Sequence, residues 1–288
     1  MSGDASARTH HTTVVNGIRL HYAMAGAGEP VVLLHGWPQS SREWHRVMAD
    51  LSDTYLLIAP DMRGMGYSGK NATAYDTDAV ASDVHELITG MGIESVRIAG
   101  HDWGGAVAYS YAANYRDEVS ALAVLEMAPP GFGIMEAAMT PQPGGNFLWH
   151  MAFQSVPAIP DLLLAGHEEE YLRFFYKEYA YAPDSVPEEH IEAYVRDMTA
   201  PGALHAGLGY YRDFFTSAEQ NIAHARTPLT IPVTAWGGSH CLRDAPKACM
   251  DQAAVSVTGG IIDDCGHWVC DEAPHTVAKI LREFFATV

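Results

Sequence analysis

The stretch Gly100-His101-Asp102-Trp103-Gly104-Gly105 constrains this 288-residue chain more than any other. It follows a strand-like run over residues 95–99 and opens a helical pattern over 103–115. A chain that passes from strand to helix in so few residues makes a strained turn, so its flanks are small and its central side chain is projected outward. The context is that of a nucleophile elbow, and the projected group is the carboxylate of Asp102. A carboxylate is ionised at neutral pH and attacks without help from a base. It can attack an electrophilic sp3 carbon and form an alkyl ester, which water must then hydrolyse. Epoxide opening and carbon–halogen cleavage fit that chemistry; ordinary ester hydrolysis does not. Asp is also a common cap of a helix such as the one beginning at Trp103, and the small flanks and the partners below favour the nucleophile.

Those partners stand in the chain order that an elbow requires. His35-Gly36-Trp37-Pro38 follows a strand-like run over residues 30–34. Beside an elbow of this kind such a loop is expected to give one backbone N–H of an oxyanion hole, here from Trp37, with the other from the residue after the elbow residue, Trp103. Read structurally, the same loop is a Gly-Pro turn with a buried Trp. His267 lies in Asp264-Cys265-Gly266-His267-Trp268, between the last strand and the last helix. It suits the general base because imidazole takes and returns a proton near neutral pH, whereas most of the other fourteen histidines are expected in core or surface roles. Two acids can orient it: Glu126, 24 residues beyond Asp102, and Asp244, after the strand that includes 230–236. Glu126 is favoured because a charged residue ending the apolar run 121–125 must find a partner, a salt bridge at the strand end being the alternative.

The surrounding chain alternates strand and helix signals, the pattern of a mostly parallel α/β sheet. Strands are expected at 12–15, 18–23, 30–34, 55–59, 95–99, 119–126, 229–236 and 260–262, with helices at 41–51, 77–91, 103–115, 246–253 and 273–286. The alternation stops between about 131 and 218, which is rich in aromatics, Met, Pro and His, with helical stretches at 168–181 and 187–198. The expected organisation is a core of 1–130 and 219–288 with a helical cap of 131–218. The cap aromatics Tyr171, Phe174, Phe175, Tyr176 and Tyr179 suggest an apolar substrate, unless they only pack the cap.

Apolar residues make up 48% of the chain, enough for a well-cored globular protein, and the formal charge of −18 argues against nucleic-acid or anionic-membrane partners. The first eleven residues lack the apolar segment of a signal peptide, and no run approaches the roughly 20 apolar residues of a spanning helix. A cytoplasmic protein is expected, with Cys241, Cys249, Cys265 and Cys270 as reduced thiols that lack zinc-site spacing. His10-His11 reads as a floppy terminus. No cofactor or metal is expected, and a homodimer is left open. Gly64-Met65-Gly66-Tyr67-Ser68-Gly69 matches a dinucleotide fingerprint, but polar, turn-like residues 70–75 follow it where a helix should open. It reads instead as a loop beside the pocket.

Together these motifs resemble the α/β-hydrolase superfamily, and His35-Gly36-x-Pro38 with Gly100-x-Asp102-Trp103-Gly104 resembles its epoxide hydrolase and haloalkane dehalogenase branch. Fluoroacetate-type dehalogenases place Arg where this chain has Trp103. Haloalkane dehalogenases hold halide with that Trp plus an Asn after His-Gly, here Trp37, or with a cap Trp such as Trp149. In most epoxide hydrolases two cap tyrosines pull on the epoxide oxygen. The motifs Phe147-Leu148-Trp149-His150 and Gly209-Tyr210-Tyr211-Arg212-Asp213 resemble instead the smaller Cif-like group of epoxide hydrolases, which pairs His with Tyr. That resemblance implies Glu126 as triad acid and His150 with Tyr211 as ring-opening donors, Tyr210 being the alternative. It implies neither secretion nor a disulfide here, since the signal segment and the cysteine spacing of the secreted members are not reproduced. Dehalogenation by the same Asp–His pair and a non-catalytic binding scaffold are the alternative functions.

Overall fold

The computed structural model describes residues 8–141 and 148–288. Residues 1–7, most of the start read for a signal segment, and Phe147 of the first cap motif lie outside the described residues.

Eight strands form one sheet in the order β1-β2-β4-β3-β5-β6-β7-β8. They are β1 (Thr9–Val15), β2 (Ile18–Ala25), β3 (Glu29–Leu34), β4 (Tyr55–Pro60), β5 (Val96–His101), β6 (Val119–Leu125), β7 (Val233–Gly238) and β8 (Val257–Ile262). β2 runs antiparallel to both β1 and β4, and every other pair is parallel. All eight expected strands are present, with shifted ends. β7 begins at Val233 rather than 229, because Pro228 and Pro232 have no N–H to give to a ladder, and Leu229 makes only an isolated bridge to Ala254. β8 begins earlier than expected, since pairing from Val233↔Val257 onward draws Val257, Thr258 and Gly259 into the strand. His10 and His11 are not a floppy terminus. They sit in β1, where the hairpin with β2 extends back to Thr9↔Met24 and the His10 ring stacks on His21 at 5.2 Å.

Parallel strands buried on both faces alternate their side chains between two cores. On β3, Val32 and Leu34 enter the core shared with the helices Thr77–Gly90 and Trp103–Asn114 and with the cap. Val31 and Leu33 enter the opposite core, with the helices His45–Leu51 and Pro274–Phe285. The expected helix over 41–51 starts as a 3-10 turn, Ser41–Trp44.

Among the described residues, every element between β6 and β7 is helical, from Ile134–Ala138 to Phe214–Ala225. The boundary drawn at 218/219 falls inside that last helix. Its Ser217 hydroxyl accepts the Thr77 N–H at 3.1 Å and its Gln220 donates to Asp76 at 2.7 Å, which ties it to the start of the core helix Thr77–Gly90. Gly64–Gly69 is no helix-opening loop. It wraps Asp61, whose carboxylate accepts the Ser41 and Tyr67 N–H groups at 2.8 Å each, and the next helix begins only at Thr77. Among the described residues no helix is long and apolar enough to cross a membrane. All four cysteines are free thiols.

Candidate active site

The carboxyl ends of β3, β5, β6, β7 and β8 lie side by side, and the loops leaving them converge under the cap, where ligands bind in parallel α/β sheets. β5 ends at His101, and Asp102 turns the chain with φ 49° and ψ −131° before the helix Trp103–Asn114. That conformation is strained for a residue with a Cβ, and strain of this kind collects at functional sites. Its neighbours explain the small flanks. A Cβ on Gly104 would collide with the Leu34 carbonyl, and one on Gly36 would lie 2.6 Å from the Asp102 Cβ.

The two Asp102 oxygens face different partners. The Trp37 backbone N–H donates to Oδ1 at 2.8 Å, while Oδ2 lies 3.7 Å from His267 Nε2. Trp103 is the first residue of its helix, so its N–H is one of the donors without an acceptor inside that helix.

Glu126 begins the loop after β6, again at positive φ (46°), and is fully buried. Its Oε1 accepts the N–H groups of Gly238 (2.6 Å) and Leu242 (3.0 Å), and its Oε2 accepts His267 Nδ1–H at 3.0 Å. Three donors thus compensate one buried charge, as burial demands. The consequence for His267 is a fixed tautomer: with its proton on Nδ1, the lone pair of Nε2 points toward Asp102. The structure brings Glu126 to His267. Asp244 precedes the helix Ala245–Met250 and does not line the cavity.

The His267 main chain is held from both sides. Its N–H donates to the Tyr179 carbonyl of the cap at 2.7 Å, and its carbonyl accepts His101 Nε2–H at 2.8 Å. His101 lies beside the buried carboxylate of Glu43 at 3.2 Å. Desolvation alone would lower the His101 pKa, but that carboxylate reverses the effect and raises it to about 9. Glu43 also accepts the Gly36 N–H at 3.3 Å, so one acid braces both the loop that begins at His35 and the residue before Asp102.

Above Asp102 lies a cavity bounded by the strand ends and the cap. Its walls are largely apolar (Met127, Met135, Leu148, Met151 and Phe175), with His150, Tyr179 and Tyr211 as the polar groups of the cap. The adjacent tyrosines separate cleanly. Tyr211 lines the cavity, its ring edge-on to both Trp37 and Trp103 at 5.4 Å, whereas the Tyr210 hydroxyl turns away to donate to the Arg63 carbonyl at 2.9 Å. Burial raises the Tyr211 pKa well above that of free tyrosine, so the phenol keeps its proton. Burial, with a smaller contribution from His267, lowers the His150 pKa to about 3, so this imidazole is neutral at pH 7. Its Nδ1 lies 3.1 Å from the Tyr179 hydroxyl. Trp149, the cap indole considered for halide, stacks on Phe175 and does not line the cavity.

Sequence reasoning missed the parts played by four residues. Tyr179 was read as one of the cap aromatics that suggest an apolar substrate or pack the cap, with no polar contact expected of it. Glu43 and His101 carry no motif beyond lying near the loop and the elbow. Cys241 lines the cavity, and its thiol, Glu126 and His267 each offer a metal-ligating atom within 4.8 Å of the others. Both carboxylate oxygens of that Glu126 are already committed to N–H donors, and its burial with the neighbouring Glu126 charge pushes the Cys241 thiol well above its usual range. The trio therefore serves the histidine better than it would serve an ion.

Residues 29–274 match the alpha/beta hydrolase fold family. The chain is 41% identical over 282 residues to a soluble epoxide hydrolase of Corynebacterium sp. (strain C12), covering 96% of this chain and 97% of that one. Among solved structures it is similar to Cfl2 of Burkholderia cenocepacia, with a TM-score of 0.92 at 36% identity over 96% of each chain. It is also similar to the epoxide hydrolase CorEH, with a TM-score of 0.89 at 38% identity over 98% of this chain and 99% of that one. With an elbow aspartate, a histidine and its acid assembled at the strand ends, and relatives matched along nearly their whole length, this chain belongs to the α/β-hydrolase fold family, in its epoxide hydrolase branch.

Proposed function

We propose that the chain hydrolyses small apolar epoxides to vicinal diols through an ester on Asp102. The carrying observation is the opposition across one cavity of an anchored carboxylate and two neutral donors. Asp102 lies below with Oδ1 held by the Trp37 N–H, and His150 and Tyr211 line the cap side. The 41% identity to a soluble epoxide hydrolase supports the same reading.

Asp102 Oδ2 attacks an epoxide carbon from the floor of the cavity. The C–O bond breaks, and the oxygen leaves as an alkoxide hydrogen-bonded by His150 and Tyr211, taking its proton from the Tyr211 phenol. The product is a hydroxyalkyl ester with Oδ2 as its bridging atom and Oδ1 as its carbonyl. His267 Nε2 then takes a proton from water, and the hydroxide adds to the ester carbon. The negative charge develops on Oδ1, where the Trp37 N–H already sits and the Trp103 N–H is the second donor. As the tetrahedral species collapses, His267 protonates the departing diol oxygen, and the second proton of the water restores the Tyr211 phenol. The overall change is epoxide plus water to diol. These steps call on no group beyond the side chains, backbone and water named.

The test is the intact mass of a His267→Gln variant incubated with epibromohydrin, beside an Asp102→Ser control. An adduct equal to the whole reagent, bromine retained and absent in the control, is expected. An adduct lacking the elements of HBr from the earliest time point, with no bromine-retaining adduct preceding it that could have closed to an epoxide, would turn the assignment to carbon–halogen cleavage.

A further inference from the structure

Tyr179 follows the cap helix Glu168–Glu178 and makes two polar contacts that reach opposite sides of the cavity. Its hydroxyl lies 3.1 Å from His150 Nδ1, and its backbone carbonyl accepts the His267 N–H at 2.7 Å. Its ring stacks on Phe175 at 5.6 Å and meets the His150 ring at a steep angle, 69°. The residue is therefore rigidly placed, and its phenol has His150 as its hydrogen-bond partner.

The chemistry of His150 makes that contact consequential. In apolar surroundings the ring is neutral through the working pH range, so it owns a single N–H. Placed on Nδ1, that proton would point at Tyr179 and leave a bare lone pair toward the cavity, useless to an alkoxide. Placed on Nε2, it faces the cavity and can donate. The other ring nitrogen decides between them through the bond it makes. A buried phenol that holds its proton donates to Nδ1, and the His150 proton must then sit on Nε2.

We propose that Tyr179 is a positioning residue for ring opening: its hydroxyl donates to His150 Nδ1 and so fixes His150 as the Nε2–H tautomer that hydrogen-bonds the substrate oxygen. This rests on the reading that His150 donates to that oxygen. No proton leaves His150 or Tyr179. Their two hydrogen bonds act in series, and each strengthens as negative charge grows on the substrate oxygen. The second contact of Tyr179 runs through its backbone and serves His267, so the two halves of the reaction depend on different atoms of one residue.

That separation supplies the test. Tyr179→Phe keeps the ring and the main chain and removes only the hydroxyl. With styrene oxide as the probe, stopped-flow tryptophan fluorescence separates alkylation of Asp102 from hydrolysis of the ester. Alkylation should slow by between about tenfold and a hundredfold, the scale on which removing the outer partner that fixes the tautomer of a metal-bound histidine acts, while ester hydrolysis stays unchanged. In a His150→Gln background the same change should cost nothing more. On 15N-histidine-labelled full-length protein, the His150 signal, assigned by its loss in His150→Gln, should show protonation at Nε2 in the parent and at Nδ1 or both in Tyr179→Phe.

Protonation at Nδ1 in the parent would overturn the proposal, since Tyr179 would then be an acceptor. So would a Tyr179→Phe variant with unchanged tautomer and unchanged alkylation. Equal slowing of both chemical steps would mark a packing role and overturn it as well. Failure of the underlying reading looks different: His150→Gln would alkylate at the parent rate, whatever tautomer the spectrum reports.

Discussion

Replacing Glu126 with Gln tests the logic of the site most sharply, because it changes no shape and one charge. Two N–H groups, from Gly238 at 2.6 Å and Leu242 at 3.0 Å, demand an acceptor at the Oε1 position. The Gln carbonyl must therefore stay there, and the amide NH2 is forced into the Oε2 position, 3.0 Å from His267 Nδ1. Two donors cannot share that contact, so His267 moves its proton to Nε2. The nitrogen that faces Asp102 from 3.7 Å then carries a hydrogen where the mechanism needs a lone pair. A comparable tautomer error in a Ser-His-Asp protease costs about 10⁴ in turnover, and a loss of about 10³ to 10⁴ in ester hydrolysis is expected here, or roughly 4 to 5 kcal/mol in the barrier. Alkylation of Asp102 needs no base and should fall by less than about tenfold. The assay is single-turnover fluorescence with intact mass, in which the ester should accumulate to stoichiometry. Ester hydrolysis at the parent rate in Glu126→Gln, with slow hydrolysis in Asp244→Asn, would refute the reasoning and hand the role to Asp244.

Two further outcomes follow from the geometry. Tyr211→Phe should slow ring opening by between about 10² and 10⁴ without changing ester hydrolysis, whereas Tyr210→Phe should keep both steps and lose about 1 to 3 kcal/mol of stability in urea titrations, because the Arg63 carbonyl is left without its donor. Burial holds the His150 and His45 pKa values at about 3 against an ordinary 6.5, so the unfolded chain binds protons that the native state refuses. Stability from this source is complete above pH 6.5 and falls as the pH drops from there toward 3. The urea midpoint of His150→Gln should therefore decline less steeply over that window than the parent's, with the His45 share of the slope remaining; parallel declines would show that His150 does not carry this linkage.

The chemistry was legible wherever it is local to the chain. Asp102 announces itself because a strand-to-helix reversal within a few residues admits only small neighbours, and the collisions at Gly36 and Gly104 are the physical form of that rule. The strands were legible because burial on both faces turns them into apolar runs such as Val31–Leu34, marked off by polar turns. Strand ends were less so, as Pro232 and the glycines of β8 show, since ladder pairing with a distant neighbour outweighs local preference. The His10-His11 reading failed for the same reason: only the partner strand β2 orders that segment.

The sequence by itself determined the fold class and the chain order of Asp102, an acid and His267, because these rest on residues within one element or one turn, and the family resemblance added the cap candidates His150 and Tyr211. It left Glu126 beside Asp244 and Tyr211 beside Tyr210, since the groups that separate the members of each pair lie far away in the chain. Tertiary structure decided both: the Gly238 and Leu242 N–H groups and His267 close around Glu126 across more than a hundred residues, and the Arg63 carbonyl turns the Tyr210 hydroxyl away from the cavity. It alone could assign Tyr179 a role, because a tautomer is set by whichever group the fold brings to the second nitrogen, and no spacing in the chain encodes a 3.1 Å contact between residues 150 and 179.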